Sequence, residues 1–383
     1  MTPSARHTHP DTLLVMRLIP ADYLYTFRGV WWDLLGERQQ FDAVIHAVIL
    51  QNPSSATVTV SSVSIEGSDT AGLIQHTVFL PPEIEQQAAP VVARDRLGLR
   101  PILHLILGTT GAVEPETMLS ANTALAPGQA LLLPNLYLTF PRRPDALKVT
   151  ACCTAGQREG RCEAHLTVRE YDSAVRYRFP LDGVWLMKGT PDSGPLDHHR
   201  FGWTNEFGID LLQLGPGAAL HQHDGTQASD YYSFGAPVLA AADGRVVAAH
   251  HTERQEWTRF NPRPGETVEQ GQQRQLADVQ QALRGDIAHW AAGNVVILQH
   301  APAEYSAYLH LREDSLRVVV GEDVRQGQPI ADVGNTGDSF GAHLHFQVMD
   351  RPDLLTGRSL PFVFTDTDVT LSEPGWLIQR AAR

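Results

Sequence analysis

Two histidines one residue apart, His343 and His345, stand where a glycine-rich stretch meets an apolar one. The stretch Gly334-Asn335-Thr336-Gly337-Asp338-Ser339-Phe340-Gly341-Ala342 precedes them, and Leu344, Phe346 and Val348 interleave and follow. This pattern predicts a loop running into a β-strand, on which alternate side chains share a face. His343 and His345 then point one way, and Leu344, Phe346 and Val348 point the other, into a core. Two adjacent imidazoles repel when both are protonated, so holding a metal is a fitting use for the pair. A bare pair of this kind also suits a half-solvated sheet face with no ligand, and it is the residues elsewhere that tip the balance. In Phe207-Gly208-Ile209-Asp210-Leu211 the alternation sets Asp210 opposite Ile209 and Leu211. A carboxylate beside two imidazoles suits a catalytic zinc, which keeps one coordination position open. Tyr305-Ser306-Ala307-Tyr308-Leu309-His310-Leu311 also alternates, with His310 opposite Leu309 and Leu311. A histidine near the metal's water can shuttle a proton or stabilise transition-state charge.

Taken in order, Gly208-Ile209-Asp210, Tyr308-Leu309-His310-Leu311 and Gly334 to Val348 resemble the lysostaphin-type zinc metalloendopeptidases, peptidoglycan hydrolases that cut peptide bonds in cell-wall cross-links. Gly235 to Val247, Gly293 to Ile297 and Gly327-Gln328-Pro329-Ile330 follow the same family's β core. The resemblance implies one Zn2+ per chain, with Asp210 and His345 as ligands and His310 and His343 as catalytic residues. It implies a peptidoglycan stem peptide or cross-bridge as substrate, and a periplasmic or extracellular location. One position departs from the family, which has a histidine four residues before the aspartate where this chain has Glu206. Zinc accepts carboxylates, but Asp197-His198-His199-Arg200 lies just upstream. His199 is therefore expected as the first ligand, His198 next and Glu206 third, with residues 200–205 looping the histidine back. No HExxH helix is present, so the histidines must take the part of the general base. His221 and His223 form another such pair in a loop-like setting and read as surface. The rival reading is a catalytically inactive peptidase-like scaffold that binds cell wall or activates another hydrolase. A biotinyl- or lipoyl-type carrier, suggested by Val324 to Ile330, is rejected because Lys188 is the lone lysine of the second half.

These residues must be positioned by a mainly β chain. Its 383 residues suggest two domains. We expect a β-sandwich-like accessory domain at 1–182, an antiparallel β-sheet peptidase domain at 183–365, and a C-terminal tail at 366–383. Candidate strands are Phe41–Leu50, Thr57–Ile65, Ile102–Leu107, Leu131–Phe140, Leu147–Cys152, His165–Arg169 and Val175–Phe179, with a short helix over Pro81–Arg94. The second half offers Pro237–Ala241, Arg245–Ala249, Asn294–Gln299, Tyr305–His310, Pro329–Val333 and His343–Met349, with Asp243-Gly244 read as a hairpin turn between the first two. Residues 251–290 are polar and Gln-rich and read as an insertion, helical over Leu276–Leu283. The histidines of the first half are scattered and read as structural or surface.

A net charge of −13 argues against a nucleic-acid partner. No run of about 18 apolar residues exists, so no membrane span is expected. The apolar run after Arg6 is broken by Arg17 and Pro20, so residues 1–20 show no clear signal peptide, which leaves a cytoplasmic place open. Cys152, Cys153 and Cys162 lack metal-site spacing; one disulfide or three thiols both fit.

Overall fold

The computed structural model describes residues 12–33, 36–102, 113–114, 116–189, 198–254, 263, 265–367 and 377–380. Its contacts group the chain into two compact units. The first comprises Met1–Thr26 and Gln39–Glu170, and the second Phe27–Arg38 and Tyr171–Arg383. His7, His9, His104, Asp197 and nearly all of the candidate strand Ile102–Leu107 lie outside the described residues.

The chain opens with β1 (Val15–Ile19), β2 (Tyr23–Tyr25), β3 (Phe27–Asp33), β4 (Gly36–Gln51), β5 (Val58–Asp69) and β6 (Gly72–Phe79). Helix α1 (Pro81–Arg96) follows, then β7 (Ala124–Leu125), β8 (Ala130–Phe140), β9 (Ala146–Ala155) and β10 (Arg158–Arg169). In the first unit β4 pairs with β1 and β8, while a second sheet runs β2-β10-β9-β5-β6 with β7 on β5. Ile45, Val48 and Leu133 from one sheet share a core with Val60, Val63 and Val149 from the other, and Ile84 and Ala88 of α1 join it. The alternation that marks β5, Val58, Val60, Val63 and Ile65, is the stripe turned into this core. α1 begins on a proline, with Glu83 accepting from the Leu80 N–H. The three cysteines are thiols, and burial pushes that of Cys162 up to about 12.

The second unit holds an eight-stranded sheet in the order β17-β14-β15-β16-β19-β12-β11-β20. Its strands are β11 (Gly183–Lys188), β12 (Ile209–Gln213), β14 (Gly244–His250), β15 (Asn294–Ala301), β16 (Glu304–Leu311), β17 (Asp323–Val324), β19 (Leu344–Met349) and β20 (Leu377–Arg380). β13 (Pro237–Leu239) and β18 (Pro329–Asp332) form a separate ribbon. The hairpin read at Asp243-Gly244 is thus corrected: β13 pairs with β18, while β14 pairs with β15 and β17. A tight-turn dipeptide signals a reversal, but the partner of a three-residue strand is chosen by tertiary packing. The segment Val175–Phe179 is not a strand of any sheet either. It alternates because Tyr177 and Phe179 are fully buried, and Tyr177 donates to the buried Glu304 carboxylate at 2.9 Å. An extended chain lying on a core shows the same period as a strand within a sheet.

The insertion joins two adjacent antiparallel strands, β14 and β15, and carries α2 (Val268–Ala282) and α3 (Ile287–Ala292). Thr267 caps α2 and Asp286 caps α3 through their side chains. The end of α3 packs backbone to backbone on the glycine-rich loop. A Cβ on Gly337 would stand 2.4 Å from the Gly293 nitrogen and 2.6 Å from the Ala291 carbonyl oxygen, and Gly337 also has a φ of +78°. Only glycine fits there.

Candidate metal centre and its relatives

β12 and β19 are hydrogen-bonded neighbours in which Asp210 pairs directly with His345, and Leu309 of β16 pairs with His345 from the other side. Strand alternation therefore puts Asp210 and His345 on one face, as the spacing implied. The opposite face of β19 is fully buried through Leu344, Phe346 and Val348. The site face is also covered: His345 is 4% exposed, His310 7% and His199 1%.

Asp210 is the hub. Its Oδ1 lies 3.1 Å from His345 Nδ1, 3.4 Å from His199 Nε2 and 3.4 Å from His343 Nε2. The rings of His310 and His343 are 4.8 Å apart, and those of His199 and His345 4.7 Å. His198 is exposed, its ring lies 3.9 Å from that of His199 at a tilt of 39°, and it has a donor atom within 4.8 Å of those of His199 and Asp210. Glu206 is taken up elsewhere, since Arg200 Nη1 donates to its Oε1 at 3.1 Å in a nearly dry setting. Among the three residues weighed for the first position, His199 comes closest to Asp210 and His345. A 3-10 turn, His199–Phe201, and the turn after it return the chain to β12. The Arg200–Glu206 pair closes that turn, so the departure from the family's spacing is matched by a local device.

Each imidazole is oriented by its second nitrogen. His199 Nδ1 meets the Gly189 carbonyl at 3.0 Å, His343 Nδ1 the Gly341 carbonyl at 2.7 Å, and His310 Nδ1 the Thr336 carbonyl at 2.9 Å. Carbonyls only accept, so those nitrogens carry the protons and Nε2 faces the site. His345 is reversed. Its Nε2 lies 2.8 Å from Gln347 Oε1, and Nδ1 faces Asp210. His199 Nε2 and His345 Nδ1 then both turn lone pairs on Asp210 Oδ1, at 3.4 Å and 3.1 Å. Acceptors so arranged are held together by an added proton or a metal ion, and two imidazoles with a carboxylate are the donor set of a catalytic zinc. The residues present fit the metal.

The electrostatics agree. Burial alone would raise Asp210, but His199 and His343 beside it hold its carboxyl well below the usual range. Burial, reinforced by His343 and His345, holds His310 well below the ordinary imidazole value. Burial also lowers His345. His343 moves the other way, because Asp210 outweighs burial and raises it.

His310 is reached by a backbone feature with no counterpart in the sequence reading. β16 carries a bulge here, since Val296 pairs with Tyr308 while Asn294 pairs with Leu311. His310 sits in it with φ +62°, a left-handed conformation uncommon for a residue with a side chain. Leu309 and His310 are consequently not simply on opposite faces, and Leu309, His310 and Leu311 are all buried. Thr336 holds the bulge. Its hydroxyl donates to the Leu311 carbonyl at 2.8 Å and accepts from the Asn294 N–H at 2.9 Å, while its carbonyl receives His310. The glycine-rich loop thus positions a histidine on another strand. His221 and His223 lie in a separate loop, where the His221 ring bonds the His223 carbonyl at 2.9 Å. Sequence reasoning passed over Thr336, Gln347 and the Arg200–Glu206 pair. Gln347 had a legible signal, being two residues beyond His345 on the same strand face.

The model of peptidase family M23 matches residues 277–356, which include His310, His343 and His345. The chain contains a peptidase family M23 domain. His199 and Asp210 lie upstream of the matched stretch. Peptidoglycan DD-endopeptidase ShyB of Vibrio cholerae is 43% identical over 63 residues, covering 16% of this chain and 14% of that protein. Lipoprotein NlpD of Yersinia enterocolitica is 41% identical over 56 residues, covering 15% of this chain and 55% of that protein. The chain thus spans less than two thirds of either relative. The catalytic domain of lysostaphin from Staphylococcus simulans matches 48% of this chain and 88% of its own, at 18% identity and a TM-score of 0.25. The M23 domain of this chain is mainly β, and among the described residues no helix is long and apolar enough to cross a membrane.

Proposed function

We propose that the M23 domain is a zinc-dependent endopeptidase acting on the peptides of peptidoglycan, in the stem or the cross-bridge, in the cell envelope. The observation that carries this is that His199 Nε2 and His345 Nδ1 lie 3.4 Å and 3.1 Å from Asp210 Oδ1, with two further imidazoles beside them. One zinc per chain is held by those three residues, with His198 as the alternative to His199. When bound, the metal supplies Lewis acidity toward the scissile carbonyl and an acidified water. His310, kept neutral by burial, offers Nε2 as the acceptor of the water's proton. His343, whose ring is protonated more readily, offers an Nε2–H donor to the oxyanion. The Thr336 and Gly341 carbonyls hold both rings, so little reorganisation is needed as charge develops. The substrate class rests on the relatives' names together with the domain match.

The test is metal analysis of the wild type and His345→Ala, paired with peptide release from bacterial sacculi. About one zinc per chain, lost in the variant along with hydrolysis, is the expected result. A wild type that purifies metal-free and releases nothing would leave the inactive-scaffold reading in its place.

A further inference from the structure

We infer that Gln347 is a positioning residue that fixes His345 as its Nε2–H tautomer and so selects Nδ1 as the nitrogen His345 turns toward the metal. The inference rests on the zinc reading of the site. Gln347 is 2% exposed and follows His345 by two residues, on the same face of β19. Its Nε2 donates to the Thr204 carbonyl at 2.9 Å. A carbonyl cannot donate, so the amide's NH2 end must face Thr204 and its oxygen must face His345. That oxygen, 2.8 Å from His345 Nε2, can only accept, so the imidazole proton sits on Nε2. The lone pair is left on Nδ1, 3.1 Å from Asp210. The other three imidazoles are fixed by backbone carbonyls and present Nε2. His345 instead takes its orientation from the Gln347 side chain, which makes that orientation removable by substitution.

Thr204 adds a second consequence. It lies in the turn between His199 and Asp210, the turn closed by Arg200 and Glu206. One carboxamide therefore ties the strand carrying one ligand to the turn that joins the other two. Gly208, in the same turn, leaves room for the ring, since a Cβ there would stand 2.9 Å from His345 Cε1.

Long-range 1H–15N spectra of the full-length, metal-free protein report which nitrogen of His345 is protonated, and zinc competition titration reports affinity. The wild type should show Nε2–H. Gln347→Met, which keeps the volume and removes the amide, should populate Nδ1–H and weaken zinc binding by about 10- to 100-fold. Gln347→Glu, which keeps an acceptor in place, should restore Nε2–H and most of the affinity. The His199 tautomer should stay the same throughout. Nδ1–H at His345 in the wild type would overturn the inference, as would Gln347→Met with unchanged tautomer and affinity. A wild type that takes up no zinc would count against the zinc reading alone, because the metal-free spectra still decide the role of Gln347.

Discussion

At the scale of residues, the site is a carboxylate surrounded by imidazoles, and its titration follows from who faces whom. Asp210 raises His343 and burial lowers His310, so the two rings should titrate on opposite sides of the ordinary value of 6.5 in metal-free protein. The sign for stability is opposite too. His343, raised on folding, contributes stability below about pH 6.5 that is lost as pH rises through its folded value. His310, lowered on folding, costs stability as pH falls below about 6.5, because the unfolded chain then binds the extra proton. Asp210→Asn should bring the His343 midpoint down, read from its ring proton shifts against pH. An unmoved midpoint would remove Asp210 as its cause. Gly208→Ala is a steric counterpart. The added Cβ meets the His345 ring at 2.9 Å and the Asn205 carbonyl at 3.0 Å, so the ring must shift. We expect at least a tenfold loss of zinc affinity with far-UV circular dichroism unchanged, consistent with the sensitivity of metal sites to ligand orientation.

At the scale of elements, two short devices carry the geometry. The turn from His199 to Asp210 is closed by a buried ion pair, with Arg200 fully buried and Glu206 12% exposed. Glu206→Gln should leave zinc stoichiometry intact while lowering stability by on the order of 3 kcal/mol, as expected when one partner of a buried pair loses its charge. Loss of zinc in that variant, with the fold retained, would return Glu206 to the ligand set. The second device is the bulge at His310. Thr336→Val takes the acceptor from the Asn294 N–H and leaves the Leu311 carbonyl with the Asn294 side-chain amide, at a cost of about 1–3 kcal/mol in urea unfolding. Because the same threonine's carbonyl orients His310, peptide hydrolysis should fall further than zinc content does. Equal falls in both would mean that Thr336 acts on the site as a whole.

At the scale of the whole molecule, the contacts fall into two units, each with its own core, so unfolding should not be a single transition. Zinc that binds the folded second unit stabilises that unit alone, by about 2.7 kcal/mol at a free concentration of 100 times Kd. Calorimetry with and without chelator should therefore move one transition and leave the other in place. Two transitions moving together would show that the units unfold as one.

The residue types and their spacing determined which side chains could do chemistry. Asp210, His343, His345 and the strand that aligns the last two follow from alternation, because the period of a strand is a local property of the chain. The mainly β character and the insertion after β14 were legible for the same reason, in β-branched alternation and its interruption. Tertiary structure decided what locality cannot. It brought His199 to Asp210 through a turn closed by Arg200 and Glu206, where the sequence offered His199, His198 and Glu206 in that order. It put His310 in a left-handed bulge held by a threonine 26 residues away, and no residue type announces such a conformation. It paired β13 with β18 rather than with its neighbour in sequence. Each of these depends on contacts between distant segments. The donors along the chain are fixed by sequence, but their gathering around Asp210 is a property of the fold.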